Sequence, residues 1–429
     1  MKLHKFAPLL LIFPLLVSCN SEEHEFYSKY DFDFGIVKNV TPYEIKDTVT
    51  IKDNVEAFKF HGRHYFNSTI NAEFFGFSNS GFEVSFYGTS LEGCFYATKA
   101  DDNDNRPYIA VSIDNDYDPD KAIPIQLTTK TNSNSDGYEG GFSRHSKIVL
   151  AHDLPLGNHT VRIYKRSECN NSKVAIKSVS CDGNIDRVVK SKNLNLKLEF
   201  FGDSVTCGYA VESDDFYENF STRTENATKS FANYCANYLN ADVSLVSAGG
   251  YPMYKSAYSE GCTPDNIPDM FSLASIDWNT NPLIQWDNSR YVPDVVVIAL
   301  GANDGSYLEQ HKNVTDLVVG KYKTKYIGFL DKIFETYPDC VVVVSDEILT
   351  IDEHYENEMD EIVESYNSSH TLKHNLIRMK YNAFNLSKDK TLPGAGHPNQ
   401  TMQHIAGKEL ANKLSQEFDY QIFDDDFTY

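Results

Sequence analysis

Positive charge is scarce in this 429-residue chain. Lys and Arg number 39 against 61 Asp and Glu, a net charge of −22. A surface that acidic repels phosphate backbones and anionic lipid heads, which excludes nucleic acid as a partner and leaves neutral, sugar-like or cationic ones. Beyond residue 17 no run is apolar enough to cross a membrane. No internal repeat is present and hydrophobic residues make up 41%, which rules out a fibrous or wholly disordered chain. Tryptophan is rare, at two residues, whereas Tyr and Phe number 27 each. That enrichment favours strands and surfaces that stack on sugar rings. The Asp-rich loops Asp101–Asn105 and Asp114–Asp120 lack the Gly and Glu that calcium loops carry at their sixth and twelfth positions, and they read as solvated turns.

What is present begins with a leader. Lys2 and Lys5 precede an apolar run from Phe6 to Val17 that is too short to span a bilayer. Leu16-Val17-Ser18-Cys19 resembles the bacterial lipobox, in which cleavage precedes a Cys that then carries lipid. The expectation is a signal peptide over 1–18, a lipid on Cys19, and residence at the bacterial outer membrane or cell surface, with the membrane contacted through the anchor only. Asn20-Ser21-Glu22-Glu23 is similar to the acidic tag of surface-exposed lipoproteins. With Cys19 lipidated, seven of the eight Cys remain, an odd number. The separation of Cys169 and Cys181 suits either a bridge or two core thiols.

Period-two alternation dominates from about Asp47 to Cys181. It is visible at Thr69–Phe74, Phe82–Tyr87, Tyr108–Ile113 and Thr160–Tyr164. Short strands with turn residues between them predict a β-sandwich over 47–195, after a linker over 19–46. From 196 onward strands and helices alternate. Predicted strands lie at Leu198–Phe201, Val243–Val246, Val295–Leu300 and Val341–Val344, with predicted helices at Lys229–Leu239, Tyr322–Tyr337 and Asn399–Leu414. Fully apolar strands in such a pattern mean a parallel sheet covered on both faces, an α/β domain over 196–429.

Four chemical groups fall where these strands end. Gly202-Asp203-Ser204 follows the first strand, Ser247-Ala248-Gly249-Gly250 the second, and Gly301-Ala302-Asn303-Asp304 the third, while His397-Pro398-Asn399 precedes the last helix. Open α/β sheets bind ligands at the carboxyl ends of their strands. A hydroxyl beside a helix start, bare backbone amides and a side-chain amide meet the needs of acyl transfer: a nucleophile and donors for the oxyanion.

This constellation resembles the SGNH, or GDSL-type, hydrolases. The segment Phe201–Tyr209, with Leu154–Val161 and Lys165–Glu168 upstream, is similar to carbohydrate esterase family two. The resemblance implies an SGNH-type three-layer α/β/α domain with a parallel sheet, preceded by an all-β jelly-roll domain. It implies Ser204 as nucleophile and His397 as general base. The oxyanion hole would be the Ser204 N–H, a Gly249 or Gly250 N–H, and the Asn303 side chain. It further implies removal of O-acetyl groups from plant polysaccharide or oligosaccharide such as xylan or mannan, with no metal and no cofactor. Alternatives are an inactive glycan-binding lipoprotein, or an SGNH esterase for acetylated peptidoglycan or a lipid. Gly394 and Ala395 stand where many members have an Asp before the His, and Asp389 is the nearest upstream carboxylate. The imidazole is therefore expected to be oriented by a backbone carbonyl or a remote acid. Ala210 stands where Gly is usual, and so does Ala248. Trp278, Trp286 and Tyr251 are candidates to contact the sugar. The β-rich half is expected to carry no catalytic group.

Overall fold

Residues 40–423 are described by the computed structural model, except 103, 115, 117, 128–136, 191–193, 195, 214, 216, 277–282, 350–351 and 383–395; a strand pair at 32–33 and 36–37 is also described. Cys19, Trp278, Asp389, Gly394 and Ala395 lie outside the described residues.

Alternation builds the first half. Phe82, Val84 and Phe86 of the strand Gly81–Gly88 point into one core with Val111, Val161 and Ile176. One antiparallel sheet orders Ile123–Gln126, Tyr108–Ile113, Gly157–Lys165, Gly81–Gly88 and Asn184–Ile185, with Lys59–His61 also paired to Gly81–Gly88. The second orders Tyr138–Glu139, Phe142–Ala151, Leu91–Ala97, Val174–Cys181, Ala72–Phe75 and His64–Asn67, with Asp47–Thr50 also paired to Val174–Cys181. Val161 pairs with Val84 on one side and Ile113 on the other, so three β-branched side chains line up across the sheet.

In the second half five parallel strands lie in the order Ala241–Ser247, Leu196–Gly202, Val295–Ala299, Val341–Ser345, Ile377–Met379. Each strand splits its apolar residues between two cores. Phe201, Val246, Ile298 and Val344 face the helices Thr315–Thr336 and Glu353–Ser369. Phe200, Leu245, Val297 and Val343 face Phe231–Tyr238 and Gln400–Phe418. Caps fix the helix starts. Ser230 accepts from the Asn233 N–H, and Asn399 accepts from the Met402 N–H at 3.1 Å. Two helices, Ala302–Gln310 and Glu353–Ser369, were not expected. The second buries only Tyr355, Met359, Ile362 and Tyr366 among many acids, a stripe too thin for its periodicity to stand out. Cys169 and Cys181 are buried, unbridged thiols in different cores. Among the described residues no helix is long and apolar enough to cross a membrane.

Buried charges fasten the halves together. Arg63 is fully buried in the turn between Lys59–His61 and His64–Asn67. Its Nε and Nη2 donate to Glu199 of the strand Leu196–Gly202 at 3.2 and 3.0 Å. Its Nη1 donates to the carbonyls of Met270, Phe271 and Leu273 at 3.1, 2.9 and 2.8 Å. Beside it, the buried His61 imidazole lies 3.1 Å from Glu83 and 2.9 Å from Asp242 of the parallel sheet. Burial pulls the His61 pKa down, but the two carboxylates outweigh it and hold the ring above its ordinary value.

Removing one partner of a buried ion pair leaves an uncompensated charge and costs about 3–5 kcal/mol. Arg63→Met is therefore expected to lose about that much stability in denaturant unfolding, and the double variant Arg63→Met/Glu199→Met to recover part of it. Equal stability of the single and double variants would show that the pair contributes nothing specific.

Candidate active site

The strand order reverses between Leu196–Gly202 and Val295–Ala299, because the second strand lies on the far side of the first. Such a switch point opens a crevice at the carboxyl ends of the two strands. Ser204 and Asn303 follow those strands and flank the crevice, and Gly249 and Gly250 follow the outer neighbour.

Ser204 starts the single turn Ser204–Cys207. Asp203 caps it, its Oδ1 accepting from the Val205 N–H at 3.0 Å. Gly208 closes it at φ +69°, where an added Cβ would lie 2.3 Å from the Asn226 carbonyl oxygen. Ala210, in the place where Gly is usual, has φ 51° and accepts the left-handed backbone with its methyl group. His397 Nε2 lies 2.9 Å from Ser204 Oγ. Its ring packs against Tyr209 with centroids 4.2 Å apart and planes tilted by 33°, and Tyr209 in turn lies 5.1 Å from Phe220. Asp389, Gly394 and Ala395, the segment before His397, lie outside the described residues.

Gly301 turns the third strand into the helix Ala302–Gln310 with φ 150°, and Asn303 sits in the first turn. Its amide donates to Asp203 Oδ2 at 2.5 Å and to the Tyr251 carbonyl at 3.3 Å. Oxyanion donation by Asn303 thus means exchanging the longer of these two bonds. Asp304 points the other way and accepts the N–H groups of Met253, Tyr254 and Lys255 at 2.8, 2.8 and 3.1 Å, pinning the chain that follows the glycines. The Gly249 N–H donates to Glu168, a residue of the β-rich half. Among the described residues neither the Ser204 nor the Gly250 N–H has a protein acceptor. Of the two glycines, Gly250 is therefore the one whose amide is available in the crevice, and Gly249 as an oxyanion donor is corrected: its hydrogen is already used.

These groups surround an open cavity of about 460 Å³. Tyr209, Phe220, Tyr258 and Leu349 give it apolar walls, and Glu168 and Asn171 close the side toward the β-sandwich. Two of the expected sugar contacts are elsewhere. Trp286 is 5% exposed, edge-on to His64 and beneath the Arg290 guanidinium, where it anchors its loop to the sandwich. The Tyr251 side chain is 3% exposed in the core, and only its carbonyl reaches the site. Trp286 was a candidate because its insertion precedes Val295–Ala299 and Tyr251 because it follows the glycines, positions that suit a sugar contact or a loop anchor equally, and a large ring gains more by burial than by exposure. Trp278 lies outside the described residues. The aromatic walls that do form come from the insertions after Ser204 and after the glycines, which carry no periodic signal. The Asp-rich loops are turns: Asp102 accepts from the N–H groups of Asp104 and Asn105, and Asp114 holds His159 at 2.7 Å.

Carboxyl groups crowd beneath the crevice. Burial pushes Asp203 up to about 6 and Asp304 up to about 7. Burial and then the neighbouring Asp203 raise Glu347 well above the usual carboxylate range. For Glu347 that direction favours the neutral acid beside the Asp203 carboxyl. On the sandwich side, ligand atoms of Glu168, Cys207 and Glu225 lie within 4.8 Å of one another. Burial holds the Cys207 thiol protonated, and Lys165, donating to the Ser167 and Glu168 carbonyls, supplies the cation that this cluster calls for.

The model of GDSL-like lipases and acylhydrolases matches residues 198–410, and that of the carbohydrate esterase 2 N-terminal domain matches residues 60–186. The chain is similar to an acetylxylan esterase/glucomannan deacetylase of Cellvibrio japonicus, 27% identical over 310 residues, covering 72% of this chain and 76% of that protein. It is also similar to a cellulase/esterase of Acetivibrio thermocellus, 26% identical over 298 residues, which is 69% of this chain but 31% of that larger protein. A family two carbohydrate esterase from Clostridium thermocellum, solved with cellohexaose, shares the fold at TM-score 0.68 and 22% identity, covering 85% of this chain and 99% of that one. An acetyl xylan esterase from Butyrivibrio proteoclasticus does so at TM-score 0.70 and 18% identity, covering 88% and 100%.

The raised carboxyls set a pH dependence. A buried acid whose folded pKa lies above its unfolded value contributes stability below the unfolded value, near 4, and loses it as pH rises through the folded one. For Asp304 that window runs from about 4 to about 7. Asp304→Asn is expected to destabilise the protein at pH 4–5, where its amide replaces a neutral acid against three N–H donors. It should then gain on the wild type as pH rises toward 7. A stability difference that stays constant across this range, measured by urea unfolding, would mean that Asp304 is already ionised at pH 4.

Proposed function

The chain belongs to the GDSL-type hydrolases, in the two-domain form of carbohydrate esterase family two, and from that premise we propose that it is a carbohydrate O-acetylesterase acting on plant polysaccharide such as xylan or glucomannan. The observation that carries this reading is the 2.9 Å contact of His397 Nε2 with Ser204 Oγ at the switch point of the sheet. An open cavity with aromatic walls, lined among the described residues by no Lys or Arg, and a net charge of −22 suit a neutral esterified glycan. A relative solved with cellohexaose supports a chain-like sugar ligand.

In the proposed reaction His397 Nε2 takes the Ser204 proton as Oγ attacks the acetyl carbonyl. The negative charge that develops on the carbonyl oxygen is met by the Ser204 and Gly250 N–H groups and by Asn303. On collapse the sugar oxygen leaves with the proton from His397, and Ser204 is left acetylated. Water, deprotonated by His397, then attacks the acetyl group, the acyl–Oγ bond breaks, His397 returns the proton to Ser204 Oγ, and acetate and free Ser204 result. Tyr209 packs against the imidazole and limits its rotation.

The reading is tested by acetate release from acetylated glucomannan, xylan and peptidoglycan, with p-nitrophenyl acetate as a simple ester. Ser204→Ala should lose about four to six orders of magnitude in kcat. His397→Ala should lose about 10²–10⁴-fold, the usual worth of a general base. A wild type that binds glycan but releases no acetate would identify a binding protein, and a preference for long acyl chains would identify a lipase.

We also propose that Cys19 is the lipidated first residue of the mature protein, which holds it at the outer membrane or cell surface. The support is Leu16-Val17-Ser18-Cys19 after a short apolar run. A lipoprotein's several acyl chains anchor stably where one does not. Cys19→Ala expressed in the native host should appear in the soluble fraction, and its retention with membranes would overturn the anchor.

A further inference from the structure

Glu168 stands just past the end of the sandwich strand Gly157–Lys165, yet it reaches the catalytic crevice of the other half. It is 5% exposed, and its carboxylate accepts the Gly249 N–H. The approach is close enough that a Cβ on Gly249 would come 3.0 Å from Glu168 Oε1. Asn171 donates to the same carboxylate at 3.2 Å and Asn170 at 3.4 Å, and Glu225 accepts the Glu168 N–H at 3.2 Å. The loop that carries Glu168 is thereby wedged between the nucleophile turn, at Cys207, and the oxyanion loop, at Ser247–Gly249.

Resting on the esterase reading, we propose that Glu168 is a positioning residue: by taking the Gly249 N–H it fixes the Ala248–Gly249 peptide, and so the start of the turn that aims the next amide, the Gly250 N–H, at the oxyanion formed at Ser204. The Gly249–Gly250 peptide that carries this amide has no side chain on either residue to hold it, and Gly250 at φ +80° stands in a region that only glycine enters freely. The turn is also closed by the 3.3 Å bond from the Tyr251 N–H to the Ala248 carbonyl; without an acceptor for Gly249 it is held less firmly, and a donor that must be ordered during the reaction contributes less than one already in place. A carboxylate so near an oxyanion would oppose it if its charge were uncompensated. Here the buried Lys165 lies beside Glu168 and Glu225 as a counter-charge, and burial raises both carboxyls above their ordinary range, the direction that lessens the negative charge there. On this view the β-sandwich half supplies part of the catalytic geometry without touching substrate chemistry.

The test is a set of Glu168 variants on p-nitrophenyl acetate, with hydrogen exchange of the Gly249 amide followed by mass spectrometry. Glu168→Gln removes the charge but keeps an oxygen at the same reach. Its kcat should stay within about tenfold of wild type, well short of the loss of one oxyanion donor. Glu168→Asp keeps the charge but is one methylene too short. It should lose about 10²–10³-fold in kcat, as the loss of one oxyanion donor does, with KM little changed and faster Gly249 exchange. The reverse order, with Asp retaining activity and Gln losing it, would overturn the proposal in favour of a charge role. Unchanged kcat in Glu168→Asp, or a change confined to KM, would overturn it as well. An inactive wild type would refute the esterase reading, and this proposal with it, whereas an active wild type with an indifferent Glu168→Asp refutes this proposal alone.

Discussion

A guanidinium taken wholly out of water must find acceptors for its five N–H groups, and Arg63 finds them only across the junction of the two halves. Glu199 meets one edge and three carbonyls of the 270–273 segment meet the other. Neither half satisfies this charge alone. The same constraint repeats at His61 between Glu83 and Asp242, and at Lys165 beside Glu168 and Glu225. Charged groups of that kind are costly to bury and more costly to strand, so they fix one relative placement of sandwich and sheet and disfavour all others. Hydrophobic burial alone would not select so narrowly, because it is non-directional.

The site inherits that placement. The sheet supplies the crevice, since the reversal of strand order between Leu196–Gly202 and Val295–Ala299 leaves its carboxyl edge open. The sandwich supplies one wall, through Glu168 and Asn171. Beneath the nucleophile Asp203 accepts from the Val205 N–H and the Asn303 amide, and burial raises both it and the neighbouring Glu347 above the usual carboxylate range, which disfavours a second full charge there. In a dry environment such fixed dipoles are worth more than in water, which is where electrostatic preorganisation gains its leverage.

Several features were legible because they are local. The apolar runs at Val295 and Val341 could belong only to strands covered on both faces, and they lie at the centre of the sheet. The alternation at Phe82–Tyr87 and Tyr108–Ile113 marked strands whose registers are now seen to bring Val84, Val161 and Ile113 together. Ser204, Asn303, Gly250 and His397 were each marked by a strand or helix boundary. Trp286 and Tyr251 were misplaced for the complementary reason. Whether an aromatic ring in a loop faces solvent or packs under a neighbouring arginine depends on what lies across the chain, and neighbours in sequence do not say.

By itself, then, the sequence determined the order of the elements, the two kinds of periodicity and the chemical groups that end each strand, because each is set by residues within a turn or two of one another. Only the tertiary structure decided which glycine amide is left open, which aromatic rings line the crevice, and that a glutamate some 80 positions upstream reaches Gly249. Those outcomes depend on long-range pairing of buried charges and hydrogen bonds. The donors and acceptors concerned lie on different halves of the chain, and they meet only when both halves have folded and their charges have left water together.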